Sequence, residues 1–320
     1  MIAVIAGGVG AARYLRGLVQ AVEPSSVTVI VNTGDDTELH GLTICPDLDT
    51  VTYTLGGAID AERGWGLSGE TWRAMEALDR FVAVRPEGSG AAATWFNLGD
   101  ADLATHLYRT HRRREGATLS EVTAEISAAF GVPVRLLPMS DDRVETRVVV
   151  EGEGEIGFQE YFVGRHHDVA ITGVRFAGVE QARPSPGVLA ALEAADVVVI
   201  APSNPIVSIG PVVAVPGVRA VLAARRESVV AVSPIVGGAA LKGPADRMLR
   251  ELGGEASVAE VARRYRDIAG TLVIDAVDEP HVSSVEAEGL HCLVTSTVMS
   301  TPEVAARLAR ATIAAGSVRS

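Results

Sequence analysis

A chain of 320 residues with 48% hydrophobic side chains can bury one large core or two modest ones. Its formal net charge of −12 and isoelectric point near 5.1 argue against duplex nucleic acid or an anionic membrane surface as the main partner. Small phosphorylated ligands stay open, because local amides and one or two cations outweigh charges lying beyond a screening length of roughly 8 Å.

The apolar β-branched run 2–6, bounded by glycines, predicts a buried parallel strand. Leu15, Leu18, Val19 and Val22 then recur at helical spacing over 11–22, and a second apolar run at 27–31 completes a strand–helix–strand unit. Helices are expected over 102–112 and 120–130, the second opened by Thr118 with Glu121 and closed by Gly131. Residues 144–162 predict a hairpin turning through Glu151-Gly152-Glu153-Gly154. Alternation then resumes, with helical stretches at 186–195 and 258–267 and strands at 197–201, 229–232 and 271–274. The uncharged run 197–218 carries Pro202, Pro205, Pro211 and Pro216 and so cannot be a continuous membrane helix. This order predicts an α/β protein with a Rossmann-like, doubly wound, mainly parallel sheet. Residues 1–58 and 168–320 would form the nucleotide-binding core, and 59–167 a smaller inserted α+β lobe. Cys45 and Cys292 lack the spacing of a zinc or redox pair, and the amino terminus carries no basic leader. Reduced cysteines and a cytoplasmic location are expected.

Several polar segments fall at predicted strand ends. Gly7, Gly8 and Gly10 stand where the first strand turns into its helix, so they either allow a tight turn or present amides to a phosphate. Arg13 occupies the place of the third glycine of a dinucleotide fingerprint, which disfavours a nicotinamide cofactor and an oxidoreductase. Asn32-Thr33-Gly34-Asp35-Asp36 follows the second strand, where open α/β sheets place ligands and where turns also form. Asp47 and Asp49 could hold magnesium, or one of them could cap a helix beginning near Thr50. Leu98-Gly99-Asp100 follows Trp95 and Phe96, a place for a stacked ring or for core packing and a helix cap. Asp141 and Asp142 sit in another polar turn. Ser203, Asn204 and Ser208 lie in a proline-stiffened loop suited to phosphate or guanine. Lys242, the single lysine among 28 basic residues, stands in a glycine-rich loop as a phosphate partner or a solvated side chain. His106, His111, His166 and His167 show no ligand-like companions and read as structural or surface residues.

Taken together, Gly7-Gly8-Val9-Gly10, Asn32 to Asp36, Pro46-Asp47-Leu48-Asp49-Thr50-Val51, Leu98-Gly99-Asp100, Leu137 to Asp142, Pro202-Ser203-Asn204-Pro205, Ser208-Ile209-Gly210-Pro211 and Ser233-Pro234-Ile235 resemble the phospholactate transferase family, called CofD, or FbiA in actinobacteria. The resemblance implies a Rossmann-like homodimer that binds a guanosine-diphosphate-linked phospho-acid, the deazaflavin Fo and magnesium, in the biosynthesis of coenzyme F-420. The terminal ribityl hydroxyl would attack the phosphorus nearest the acid and release GMP. Asp49 and Asn97 correspond to deazaflavin contacts, although Asn97 stands where a basic residue is usual; Val9 and Ala101 also depart from the family pattern. On this reading Gly7, Gly8, Gly10, Asn32, Asp49, Asn97, Asp100, Ser203, Asn204, Ser208 and Lys242 bind substrates. Asp47 and Asp49 hold magnesium, and Asp49 positions metal or hydroxyl for the reaction. The alternative is a related nucleotide-sugar-binding regulator without transfer activity, disfavoured by Thr37-Glu38-Leu39-His40 after the double aspartate. The acid is left open, with enolpyruvate suggested by an actinobacterial composition.

Overall fold

The computed structural model describes residues 1–317. Strand β1 (Ile2–Ala6) is apolar and buried along its whole length, as a parallel strand covered on both faces requires. It is followed by α1 (Gly8–Ala21) and β2 (Val27–Val31), which pairs with β1 in parallel, Ile2 opposite Val27. Five further strands complete the sheet: β3 (Arg135–Pro138), β4 (Val197–Ile200), β5 (Val229–Val232), β6 (Thr271–Ile274) and β7 (His291–Val294). Their order is β3-β2-β1-β4-β5-β6-β7, every neighbouring pair parallel. The sheet is thus the doubly wound one expected. From β1 the chain moves outward to β2 and β3, then returns to β4 and moves the other way. The crevice at the carboxyl ends of β1 and β4 is the topological switch point, where such sheets bind ligands.

Helices α2 (Pro46–Leu55) and α3 (Asp102–Arg114) lie between β2 and β3 in the chain, and α4 (Pro302–Ser317) follows β7. Alternate residues of the strands feed two cores. Ala3, Ile5, Ile30, Val198 and Ile200 point to one side, and Val4, Ala6, Val29, Val31 and Val199 to the other. On the second side α1 buries Ala11, Leu15 and Leu18 beside Leu308 and Ala309 of α4. Burial of each such leucine contributes about 2 kcal/mol. The two helices touch at Gly17, where a Cβ would stand 2.3 Å from the Ala305 carbonyl carbon, so any larger residue forces them apart.

A smaller antiparallel sheet is built from Gly154–Gly157, Glu145–Val150 and Ile171–Ala177. The hairpin turn falls where expected, but residues 160–164 leave the strand as a wide helical turn. Segment 59–167 also supplies β3 to the main sheet, while Ile171–Ala177, beyond it, joins the small one. Edge strand β3 is four residues long and ends in a proline, which a sheet tolerates only at an edge, and so carries little strand signal. The helix expected at 120–130 runs Leu119–Ala129 with a full capping box between Thr118 and Glu121. Among the described residues no helix is long and apolar enough to cross a membrane.

Candidate active site

A cavity of about 640 Å³ opens at the switch point. Its rear is the turn from β1 into α1. Gly8 takes a left-handed φ of +72°, and a Cβ on Gly10 would meet the Pro202 carbonyl oxygen at 2.2 Å, so glycine at position 10 lets the first turn of α1 approach the loop after β4. The N-cap residue Gly7 supplies no side-chain cap and α1 has no acid in its own first turn; the Gly8 amide at this positive helix end instead donates to the Asp47 carboxylate. Helix α1 begins at Gly8 rather than near Ala11, bringing the glycines into the helix end itself.

The acidic segments converge on this turn. Helix α2 starts at Pro46, so Asp47 and Asp49 both belong to its first turn and neither is its N-cap, contrary to the expected start near Thr50. Asn32 Nδ2 donates to Asp47 Oδ2 at 2.9 Å, and the Gly34 amide donates to Asn32 Oδ1 at 2.9 Å, joining the loop after β2 to α2. Burial pushes the Asp47 carboxyl up to about 6 despite hydrogen bonds from Asn32 and the Gly8 amide. Burial, then the charges of Asp47 and Asp36, drive Asp35 well above the usual carboxylate range. Asp35 Oδ1 has no hydrogen-bond partner among the described residues. Two buried carboxylates that repel each other and have no ion-pair partner among the described residues fit a divalent ion with oxygen ligands.

Asp49 is differently placed. Both its oxygens receive hydrogen bonds from the guanidinium of Arg109 on α3, and Arg109 Nη1 also donates to Thr43 O at 3.3 Å. His106 Nδ1 lies 3.2 Å from Arg109 Nη1, and His106 Nε2 lies 3.3 Å from Asp102 Oδ2. Tyr53 of α2 donates to the other Asp102 oxygen. Asp49, Tyr53, Asp102 and His106 all line the cavity. Candidate ligand atoms of Asp49, Asp102 and His106 lie within 4.8 Å of one another and could hold a metal by distance alone, but Arg109 already engages Asp49.

The sequence by itself sets His106 aside as structural or surface and passes over Arg109. A signal exists all the same: Asp102, His106 and Arg109 are spaced i, i+4, i+7, a polar stripe on one helical face. The lining is also rich in aromatic side chains, with Trp65, Trp95, Phe96, Phe158 and Phe162. Trp95 meets Phe96 edge-on at 5.9 Å, and Arg63 lies over both Trp65 and Trp72. Arg13 and Lys242 add positive charge; burial, then the charge of Arg13, lowers the Lys242 ammonium. Lys242 Nζ donates to Arg63 O at 3.4 Å, linking two loops across the mouth.

Of the expected binding residues, Gly7, Gly8, Gly10, Asp47, Asp49, Asn97, Ser203, Asn204, Ser208 and Lys242 line this one cavity, and Asn32 braces it from behind. Ser203 is buried with its hydroxyl unpartnered among the described residues, whereas Asn204 Oδ1 accepts from the amides of Ile206 and Val207 to shape its own loop. Asp100 is outside the lining: it accepts from Thr71 Oγ1 and the amides of Arg73 and Ala74 at a short helix start. Asp141 accepts from Ser120 and Asp142 from the Arg183 amide, so both brace loops away from this cavity.

The sequence matches the family 2-phospho-L-lactate transferase CofD over residues 2–307. It is 48% identical to a phosphoenolpyruvate transferase of Streptomyces griseus, covering 97% of this chain and 96% of that protein. It is 41% identical to the phosphoenolpyruvate transferase of Mycolicibacterium smegmatis, covering 97% of each. A crystal structure of a UPF0052 family member from Bacillus halodurans superposes with a TM-score of 0.63 at 16% identity, over 98% of both chains, and shows a shared fold. With a family match across nearly its whole length and relatives of this identity, the chain belongs to the CofD family of phospho-acid transferases.

Proposed function

We propose that this enzyme moves a phospho-acid from its guanosine-diphosphate-activated form to the ribityl hydroxyl of the deazaflavin Fo, releasing GMP, in the biosynthesis of coenzyme F-420. Enolpyruvate is the favoured acid, since the Streptomyces and Mycolicibacterium relatives are phosphoenolpyruvate transferases. One observation carries the reading: a glycine-lined helix end, a repelling pair of buried carboxylates and aromatic side chains share one cavity at the switch point. The helix end with Lys242 and Arg13 suits a diphosphate, and the aromatic side chains suit a flat ring.

Asp47 and Asp35 would hold magnesium, which when bound neutralises charge on the diphosphate. Asp49, in the same first turn of α2 as Asp47 and held by Arg109, would be the positioning carboxylate for the acceptor. Transfer forms a P–O bond from the ribityl oxygen to the phosphorus nearest the acid while the bond to GMP breaks, the hydroxyl proton leaving to solvent. Catalysis of this kind rests chiefly on in-line placement and charge neutralisation. Family resemblance adds a homodimeric, cytoplasmic enzyme to the proposal.

Purified protein incubated with Fo, magnesium and each guanosine-diphosphate-linked acid should release GMP and yield a deazaflavin product heavier by one phospho-acid with a single preferred donor. No product with any donor from folded protein would favour the binding-only regulator.

A further inference from the structure

The buried cluster at the foot of α3 has hydrogen-bonding capacity that the protein leaves unused. An arginine nitrogen can only donate, so Arg109 Nη1 at 3.2 Å requires His106 Nδ1 to accept. The neutral ring then carries its proton on Nε2. That nitrogen is buried within a side chain 1% exposed and has no hydrogen-bond partner among the described residues, although Asp102 Oδ2 stands 3.3 Å away. Asp102 Oδ1 is occupied by Tyr53, and Oδ2 faces only the His106 ring, a close contact that, against the opposing effect of burial, helps hold the Asp102 carboxyl below its usual range without forming an aligned hydrogen bond.

The same tautomer argues against a metal among Asp49, Asp102 and His106. Ligation through Nε2 would move the ring proton to Nδ1, where it would confront the Arg109 N–H, and a cation would sit next to the guanidinium. A phosphate is excluded by two carboxylates at close range. A hydroxyl, which both accepts and donates, satisfies the pair.

We propose that His106 and Asp102 bind a hydroxyl of the acceptor's sugar-alcohol chain, the imidazole donating to its oxygen and the carboxylate accepting its proton. This rests on the polyol acceptor of the proposed function and assigns a specificity-determining pair within it. Asp102 begins α3 and His106 follows one turn later, so the helix itself sets the spacing of donor and acceptor.

The test compares Fo with analogues in which single ribityl hydroxyls are replaced by hydrogen, reading binding by deazaflavin fluorescence as well as KM and kcat. Wild-type protein should bind one analogue about 10- to 100-fold more weakly than Fo, the range for a lost hydrogen bond to a buried or charged group. His106→Leu and Asp102→Asn should bind Fo as weakly as that analogue and no longer distinguish the two, while GDP affinity is unchanged. Asp102→Asn keeps the side-chain shape, so it decides the matter if His106→Leu fails to fold. Retention of full discrimination by a folded variant overturns the pair's role and leaves the transferase reading intact. A changed magnesium requirement with unchanged discrimination overturns it in favour of a metal site. Failure of wild-type protein to bind Fo overturns both proposals together.

Discussion

Arg109 grips both carboxylate oxygens of Asp49 across 60 residues of sequence, and both side chains are buried. Removing one partner of such a pair strands the other charge in a poorly solvated place. Arg109→Met is therefore expected to cost about 3–5 kcal/mol of folding stability, measured as a shift of the urea midpoint at unchanged slope. Arg109→Lys restores the charge but not the planar fork and should recover only part of the loss. A stability change within about 0.5 kcal/mol, that of an ordinary surface substitution, would show the pair to be dispensable.

Gly10→Ala tests the close approach of the first turn of α1 to the loop after β4. The added methyl would lie 2.2 Å from the Pro202 carbonyl oxygen, and backbone on both sides must move. Destabilisation of roughly 1–3 kcal/mol is expected from overpacking of this kind, with weaker GDP binding because the helix end shifts. Calorimetric melting together with a GDP titration checks both; an unshifted melt would mean the turn has slack that its geometry does not show.

How much of the molecule is legible in its sequence depends on which forces are local. Strands β1, β2, β4, β5 and β6 are short buried runs rich in valine and isoleucine, and composition alone marks them. Edge strands β3 and β7 are not legible in this way: Arg135–Pro138 holds a proline and an exposed arginine, and His291–Val294 is only partly buried. Glycines and Asx residues at strand ends point to the cavity because the switch point follows from strand order. Arg109 shows in the sequence only as part of the polar stripe with Asp102 and His106, and its pairing with Asp49 is not legible because that partner lies on another helix; Asp100 looks like a ligand contact because a helix-starting carboxylate and a binding one read alike.

The Asp47 carboxyl gives a pH dependence with a definite sign. Its folded value of about 6 lies above the ordinary value of about 3.9. The folded state therefore holds the proton more tightly, and stability is lost as pH rises from about 4 through 6. The difference amounts to an order of 2–3 kcal/mol. Metal-free protein should lose stability over that window, magnesium should restore it at neutral pH, and Asp47→Asn should lessen the slope, with Asp35, also raised by burial, keeping the remainder. Denaturant midpoints from pH 4 to 8, with and without magnesium, decide this; a flat wild-type profile without metal would show that the carboxyl is solvated.

Trp95 offers a way to separate the two substrate sites. Its indole lines the cavity, packs edge-on against Phe96 and is 37% exposed, so a face is available to a flat ring. Stacking of an aromatic base on such a ring is worth about 1–3 kcal/mol by alanine substitution, which corresponds to roughly a 5- to 150-fold loss of affinity. Trp95→Ala should raise KM for Fo within that range while KM for the guanosine-linked donor and the melting temperature stay near wild type, because the glycine turn and the carboxylates are untouched. A rise in donor KM instead would place guanine, rather than the deazaflavin, against the aromatic side chains and would exchange the two binding sites.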